Sequence, residues 1–207
     1  MASQVWIKRS RRNDMIASNL LRGEKVRLTA VTSADMPAIT RWWGDPNFLR
    51  LYNTAPAMPR NDDQLSRRFD LSRSGDDAFL FAIRRVDEPA AEDDNELIGL
   101  LELDGVVWAH RTTFVSIGIG EARYRGQGYG REAMQLALAF AFNELNLYRV
   151  CLTVFSYNDQ AITLYERLGF VREGAYRQHL ERDGRRYDMY LYGLLRPEWE
   201  KSKDSST

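Results

Sequence analysis

Three glycines in a basic segment, Gly126, Gly128 and Gly130, are the residues of this 207-residue chain best placed to do chemistry. Glycine lets the backbone approach a ligand closely and lets successive amides point at one place. A strand pattern over 115–119 precedes them, and an apolar helical pattern runs from Gly130 to near Phe142. A helix N-terminus beneath such a turn adds partial positive charge. The spacing therefore predicts a phosphate-binding loop between a strand and a helix.

The residues around this loop distinguish between three kinds of phosphate site. A Walker-type loop needs Lys-Ser or Lys-Thr after its last glycine, where this chain has Arg131-Glu132, so that class is excluded. A dinucleotide-binding loop needs G-x-G-x-x-G and an acid ending the next strand, and neither is present. The third pattern, Arg/Gln-x-x-Gly-x-Gly/Ala, is matched by Arg125, Gly128 and Gly130. The structural alternative is a tight strand-to-helix turn that binds nothing.

A second motif lies one predicted helix and one predicted strand downstream. Asn158 is a suitable helix N-cap, and Gly169 ends the helix before Phe170 opens a new strand. One side of that helix carries residues at i, i+3, i+4 and i+7, namely Ala161, Leu164, Tyr165 and Leu168. The hydroxyl of Tyr165 is a candidate acid, although most helical tyrosines are core aromatics.

In this order and spacing the two motifs resemble those of the GNAT superfamily (GCN5-related N-acetyltransferases). The resemblance covers roughly Leu20 to Trp199 and implies a loop whose amides hold the pyrophosphate of acetyl-coenzyme A. It implies that Asn158 contacts the pantetheine arm and that Tyr165 protonates the departing thiolate. The cofactor-binding residues that it implies are Ile117, Gly118, Ile119, Arg125, Gly126, Gln127, Gly128, Tyr129, Gly130, Arg131, Asn158 and Ala161.

Within this superfamily the chain is most similar to the spermidine N-acetyltransferases and the ribosomal-protein N-terminal acetyltransferases. The supporting segments are Leu97-Ile-Gly-Leu-Leu-Glu-Leu103, His110-Arg111, and Asp183-Gly184 with Tyr187-Asp188. Glu102 alternates with Leu101 and Leu103, so we expect it to face the acceptor and to remove a proton from it. An ion pair with a neighbouring arginine is an equal alternative for this carboxylate.

Aromatic residues near the N-terminus predict where the acceptor binds. Trp42, Trp43 and Tyr52, together with Phe48, would form an aromatic wall able to stack on a flat acceptor or hold an ammonium group. Packing of the first helices on the sheet is the alternative for at least two of them. The segment 48–60 is poor in carboxylates, which disfavours a polyamine.

The expected function is transfer of an acetyl group from acetyl-coenzyme A, as cosubstrate, to a primary amine of a small molecule or a protein N-terminus. A non-catalytic coenzyme A-binding module is the alternative, and the presence of Tyr165 and Glu102 disfavours it. A backbone amide near Ile117 or Gly118 is the candidate for polarising the carbonyl oxygen.

Composition limits the other possibilities. A formal net charge of zero gives no reason to expect nucleic-acid or membrane binding, and no apolar run is long enough for a membrane helix. The single Cys151 excludes an intramolecular disulfide, and His110 and His179 lack metal-ligand spacing, so we expect no metal. We expect a cytoplasmic protein that is a monomer or a homo-oligomer.

The element pattern predicts a mixed sheet with helices, and the resemblance implies an α/β (α+β) GNAT fold with one mixed, mostly antiparallel sheet of about six or seven strands flanked by about four helices. Strands are predicted over 25–30, 79–86, 97–103, 115–119, 149–154, 176–182 and 185–195. Besides the two helices described above, helices are predicted from Ser33 or Asp35 to Trp43 and over 61–72, with 87–95 as an acidic loop. Residues 1–19 are expected to be a disordered extension, 20–199 the acetyltransferase domain, and 200–207 a polar tail.

Overall fold

The computed structural model describes residues 19–73, 77–86 and 96–204, which form seven strands and six α-helices. The strands are β1 (Val26–Ala30), β2 (Phe79–Arg85), β3 (Leu97–Val107), β4 (Thr112–Ile119), β5 (Arg149–Phe155), β6 (Val171–Arg182) and β7 (Arg185–Leu195). The helices are α1 (Met36–Trp43), α2 (Pro46–Tyr52), α3 (Asp62–Arg73), α4 (Tyr129–Ala139), α5 (Asp159–Arg167) and α6 (Arg196–Asp204). The acidic loop 87–95 and the predicted extension, apart from Asn19, lie outside the described residues.

The strands form one mixed sheet in the order β1-β2-β3-β4-β5-β7-β6. Every neighbouring pair is antiparallel except β4 and β5, which run parallel and are connected through α4. The β6–β7 hairpin closes on the predicted Asp183-Gly184 turn, where both residues have positive φ. The predicted mixed, mostly antiparallel sheet is confirmed.

Helices cover the two faces of this sheet unequally. On one face α4 packs Met134 and Leu138 against strand residues such as Leu101 and Val150, which belong to the larger hydrophobic core. On the other face α1, α2 and α3 cover the β1–β3 side with a second core that includes Trp43, Leu49, Leu65 and Leu100. Leu100 and Leu101 therefore point to opposite faces, as the alternation of a strand requires.

Two elements differ from the sequence prediction. The chain breaks after α1 as predicted, but it immediately begins α2, because Asp45 caps the Asn47 amide at 2.9 Å and Pro46 occupies the first helical position. Residues 200–204, which belong to the predicted polar tail, complete α6. Trp199 in that helix is buried and packs on Phe142 with ring centroids 5.0 Å apart, which ties α6 to the core.

Candidate active site

The central feature of the candidate site is a gap between β4 and β5. The two strands pair only from Thr112 with Arg149 to Phe114 with Cys151. Beyond that point β4 stays paired to β3 as far as Ile119, whereas β5 stays paired to β7 as far as Phe155. The strands therefore diverge, and β4 is left with unpaired backbone groups along one edge of the gap.

The register identifies which β4 amides face this gap. Gly120 N donates to Ile98 O, and the same register makes Gly118 with Leu100 a hydrogen-bonded pair. Because successive residues of a strand direct their amides to opposite sides, the amide of Ile117 points toward the gap and that of Gly118 toward β3. Of the two amides predicted to polarise a carbonyl, Ile117 is the one with suitable direction.

The glycine loop lies at the end of β4 and leads into α4. Gly126 and Gly128 have φ of +74° and +90°, which glycine adopts at low cost, and Gly128 is the N-cap of α4. Gly130, the second residue of α4, faces the cavity, and a methyl group there would lie no closer than 3.7 Å to another protein atom. The loop thus presents bare backbone and the N-terminus of an 11-residue helix, an arrangement that suits a phosphate group.

Side chains hold this loop in place. Arg125 donates from Nε to Ile119 O at 2.9 Å and from Nη2 to Gly120 O at 3.0 Å, which joins the loop to the end of β4. Glu132 accepts hydrogen bonds from the backbone amides of Glu24, Lys25 and Val26 at 2.7–2.8 Å, which joins α4 to the start of β1. Lys25 Nζ in turn donates to Gln127 O at 3.2 Å, so a lysine remote in sequence adds positive charge beside the loop.

The second motif forms α5 on the opposite side of the gap. Asn158 caps this helix through its Oδ1, which accepts from the Ala161 amide at 3.3 Å. Gly169 has φ of +90° immediately after the C-cap Leu168, as predicted for the residue that ends the helix. The interval between Asn158 and Gly169 therefore places Tyr165 at a fixed position on the face of α5 toward β4.

Tyr165 is buried, with an exposed fraction of 7%, yet it lines the cavity. Burial, with a smaller contribution from the neighbouring phenol of Tyr52, raises the pKa of Tyr165 to about 12. Since this pKa lies far above neutrality, the Tyr165 hydroxyl carries its proton at physiological pH and is available as a hydrogen-bond donor.

The loop, the gap and α5 enclose one cavity of about 580 Å³. Its lining contains the predicted cofactor-binding residues Ile117, Gly118, Ile119, Arg125, Gly126, Gly128, Gly130, Arg131, Asn158 and Ala161. The remaining two, Gln127 and Tyr129, do not line it: the Gln127 side chain donates to Arg123 O at 2.5 Å, and Tyr129 packs on Tyr124. The sequence thus predicted ten of the residues that line this cavity.

Several lining residues carried no sequence signal. Gln160, Thr163 and Arg167 lie on α5, Tyr124 lies in the turn before α4, and Leu51 lies on α2. Arg125, Arg131 and Arg167 give the cavity three guanidinium groups, and its lining contains no aspartate or glutamate among the described residues. This charge distribution fits the phosphates of coenzyme A.

One side of the cavity is formed by Phe48, Leu51 and Tyr52 of α2, which we call the acceptor wall because it is the candidate surface for binding the acceptor. Phe48 and Tyr52 stack with ring centroids 5.1 Å apart and an interplanar angle of 17°. Gly118 permits this arrangement, because a Cβ at that position would lie 2.7 Å from the Tyr52 ring. The small residue on β4 therefore brings the acceptor wall directly against the strand.

Trp42 and Trp43, which were predicted to bind the acceptor, do not line the cavity. They are only 3% and 2% exposed and belong to the core under α1–α3. Trp42 lies over Gly120, where any Cβ would overlap its ring, and its Nε1 donates to Glu121 at 3.1 Å. Packing on the sheet explains the burial of both tryptophans. Of the three predicted residues, only Tyr52 lines the cavity.

Glu102 lies near the cavity but does not line it. Its strand neighbours are Leu80 and Ser116, and it shares a sheet face with Leu100, opposite to the core residues Leu101 and Leu103. The predicted alternation is therefore correct. Ser116 precedes the cavity-lining Gly118 by two residues, which separates Glu102 from the cavity by about 7 Å along the strand.

The described residues contain no group of three or more His, Cys, Asp and Glu side chains that could hold a metal ion. Their helices are all too short or too polar to cross a membrane.

Comparison with known proteins agrees with this geometry. The family model described as "Acetyltransferase (GNAT) domain" matches residues 25–171. A prophage-derived, uncharacterized N-acetyltransferase of Bacillus subtilis is 30% identical over 173 residues, covering 79% of this chain and 97% of the relative. The spermidine N(1)-acetyltransferase of Vibrio cholerae is 34% identical over 103 residues, covering 50% of this chain and 59% of the relative.

Among solved structures, this chain is similar to spermidine N-acetyltransferase from Vibrio cholerae in complex with CoA and spermine. The TM-score is 0.75 and the sequence identity 25%, with 84% of this chain and 98% of the other covered. The predicted superfamily and fold are confirmed.

The geometry of Gly130 allows a test of the loop that does not perturb folding. Gly130→Ala adds a methyl group that meets only ordinary contacts inside the protein, and alanine favours a helix over glycine by about 1 kcal/mol. We expect unchanged or slightly raised thermal stability, but affinity for coenzyme A at least about tenfold lower, equivalent to about 1.4 kcal/mol, by calorimetry. Gly174→Ala, outside the cavity, is the matched control. Equal affinities for wild type and Gly130→Ala would remove the loop from the binding site.

Proposed function

The chain belongs to the GNAT family of acetyltransferases and is an acetyl-coenzyme A-dependent N-acetyltransferase; we propose that its cavity transfers the acetyl group directly to a primary amine, with Tyr165 and Glu102 handling the protons. The observation that carries this proposal is one cavity that is lined both by the glycine loop and by the acceptor wall. Tyr165 lies on α5 beside both.

The residues present fit acetyl-coenzyme A. The bare backbone of the glycine loop and the guanidinium groups of Arg131 and Arg167 suit its phosphates, and the gap between β4 and β5 is suited to an extended arm. When bound, acetyl-coenzyme A supplies an activated thioester. The Ile117 amide, which faces the gap, would donate a hydrogen bond to the oxygen of that thioester.

Tyr165 would stabilise the leaving sulfur. A phenol with a pKa of about 12 is a weaker acid than an alkyl thiol, whose ordinary pKa is about 8.5. Complete proton transfer from Tyr165 to a thiolate is therefore uphill. Donation of a strong hydrogen bond from the Tyr165 hydroxyl is the role that its burial favours, and it refines the predicted protonation.

Glu102 would accept the proton of the acceptor amine through water. An alkyl ammonium group is mostly protonated near neutrality and must lose a proton before it can attack. The position of Glu102, about 7 Å along the strand from the cavity-lining Gly118, favours a relay through one or more water molecules over direct contact. Its side chain lies on the sheet face that carries the acceptor wall.

The acceptor wall favours an amine attached to a flat or apolar body, such as a phenylalkylamine or a peptide N-terminus. Phe48 and Tyr52 offer stacking surface, and the cavity lining lacks carboxylates among the described residues. A polyamine carries several charges and prefers several carboxylates. It remains the second candidate, because the relatives of this chain include enzymes named for spermidine.

The activity is tested by incubating the protein with acetyl-coenzyme A and single amines, with thiol release as the measurement. The panel contains spermidine, phenylalkylamines, amino acids and N-terminal peptides. We expect a kcat/KM at least about tenfold higher for amines with an aromatic or apolar body than for spermidine. Spermidine as the best substrate would contradict the acceptor assignment, and no thiol release with any amine would favour a non-catalytic module.

The other partner predictions are a cytoplasmic location, a monomer or homo-oligomer, and no nucleic-acid or membrane partner. The zero net charge supports the last of these, because it gives no bulk attraction to nucleic acid or to a membrane surface.

Tyr165→Phe removes only the hydroxyl and tests its role. Because the pKa of Tyr165 is about 12, its protonation does not change between pH 6 and pH 10. We expect kcat to fall about 10²- to 10⁴-fold, by the same factor at each pH in this range, with little change in coenzyme A affinity. A fall of less than about threefold, or a change in the shape of the pH profile, would contradict this role.

Glu102→Gln separates three roles for the carboxylate. If Glu102 is the base, turnover falls most at low pH and partly recovers as the free amine becomes abundant. If it binds the acceptor, the KM for a cationic acceptor rises at every pH. If it is a structural partner, the free energy of unfolding in urea falls by several kcal/mol.

We expect the first pattern, with Glu144→Gln, on an exposed side chain away from the cavity, as the control. Unchanged kinetics and stability in Glu102→Gln would exclude all three roles.

A further inference from the structure

The acceptor wall sits on a small helix with few attachments. α2 has seven residues, and its buried side chains, Phe48 and Leu49, pack into the core that contains Trp43. Tyr52 at its last position lies against Gly118 of β4. These contacts hold the side of α2 that faces the sheet. They do not involve the segment that follows its C-terminal end, which other residues contact.

The tip of the β6–β7 hairpin holds that end. Arg182 Nη2 donates to the backbone oxygens of Asn53 at 3.3 Å, Thr54 at 3.3 Å and Ala55 at 3.1 Å. Asn53 is the C-cap of α2, and Thr54 and Ala55 follow it, so these three carbonyls belong to the segment that leaves the helix. The Arg182 guanidinium group therefore attaches the C-terminal end of α2 to the tip of the hairpin.

Two further contacts join the same parts of the molecule. Asp183 Oδ2, next to Arg182, accepts from Arg50 Nη2 of α2 at 2.5 Å. The hydroxyl of Tyr157, at the end of β5, donates to Arg50 O at 2.6 Å. Tyr157 also packs edge-on against Tyr187 of β7, with ring centroids 5.0 Å apart. The hairpin and the acceptor wall are thus connected by a set of polar contacts that spans more than 100 residues of sequence.

We propose that Arg182 is a positioning residue that sets the distance between the acceptor wall and the thioester end of the cavity. The proposal rests on the proposed function, because it assigns α2 to the acceptor. Arg182 does not line the cavity, so it acts through α2 alone. Loss of its hydrogen bonds leaves the coenzyme-binding loop and α5 in place but releases the C-terminal end of α2.

A consequence for specificity follows from the same contact. Three converging carbonyl oxygens are a suitable binding site for an ammonium group. Here the guanidinium group of the chain itself occupies that position, so these carbonyls offer no site for a second charge of a polyamine.

The first test needs no acceptor. In Arg182→Met the apolar stem remains and the donors are lost. We expect hydrogen exchange at the Asn53 amide, which donates to Leu49 O, to accelerate at least about tenfold. Exchange in α4 and α5 should stay within twofold of wild type. Arg182→Lys, which keeps a charged donor, should restore most of the protection.

Matched controls come from the same hairpin. Arg186→Met removes an exposed arginine that pairs with Glu181 and should leave α2 exchange unchanged. Asp183→Asn removes only the ion pair with Arg50 and should give a smaller acceleration in the same direction. It also serves as the variant to measure if Arg182→Met does not fold.

The second test uses the best amine from the acceptor panel. In Arg182→Met we expect the acceptor kcat/KM to fall at least about tenfold, with the KM for acetyl-coenzyme A within twofold of wild type. Unchanged exchange in α2, equal acceleration in α4 and α5, or an equal rise in both KM values would overturn the proposal. If wild type acetylates no amine, the proposed function fails, while the exchange measurement still decides whether Arg182 holds α2.

Discussion

The divergence of β4 and β5 after Phe114 is the constraint on which the rest of the site depends. A sheet normally pairs its interior backbone groups, so two neighbouring strands that separate inside a sheet leave donors and acceptors unpaired. The free-energy cost of these unpaired groups is offset when a ligand forms hydrogen bonds with them. The Ile117 amide faces such a position, and the glycine loop and α5 lie at the two sides of the opening.

Small residues on β4 and contacts from distant strands then complete the site. Gly118 and Gly120 let Tyr52 and Trp42 approach the strand, so α1 and α2 pack directly on β4. Arg125 and Glu132 hold the loop through backbone groups, and Arg182 holds the end of α2. Different residues therefore position the glycine loop and the acceptor wall.

The sequence predicted the residues that line the cavity from the glycine loop and α5 better than those that line it from α2. Gly128, Asn158 and Gly169 each satisfy a local backbone requirement, which a sequence pattern can indicate without knowledge of the fold. Trp42 and Trp43 could not be assigned locally, because their burial depends on Gly120 and on α3 packing from elsewhere in the chain. α2 did have a local signal, because Asp45 followed by Pro46 is a common helix start. The contacts of Arg182 join residues far apart in sequence, and no spacing rule could have found them.

Hydrogen exchange with and without coenzyme A shows directly whether the coenzyme binds in the gap between β4 and β5. We expect added protection at the amides of Ile117 and Gly126 to Gly130, and at the start of α5, with no change in β1 and β2. Protection confined to surfaces outside the cavity, or none at a saturating concentration of coenzyme A, would contradict it.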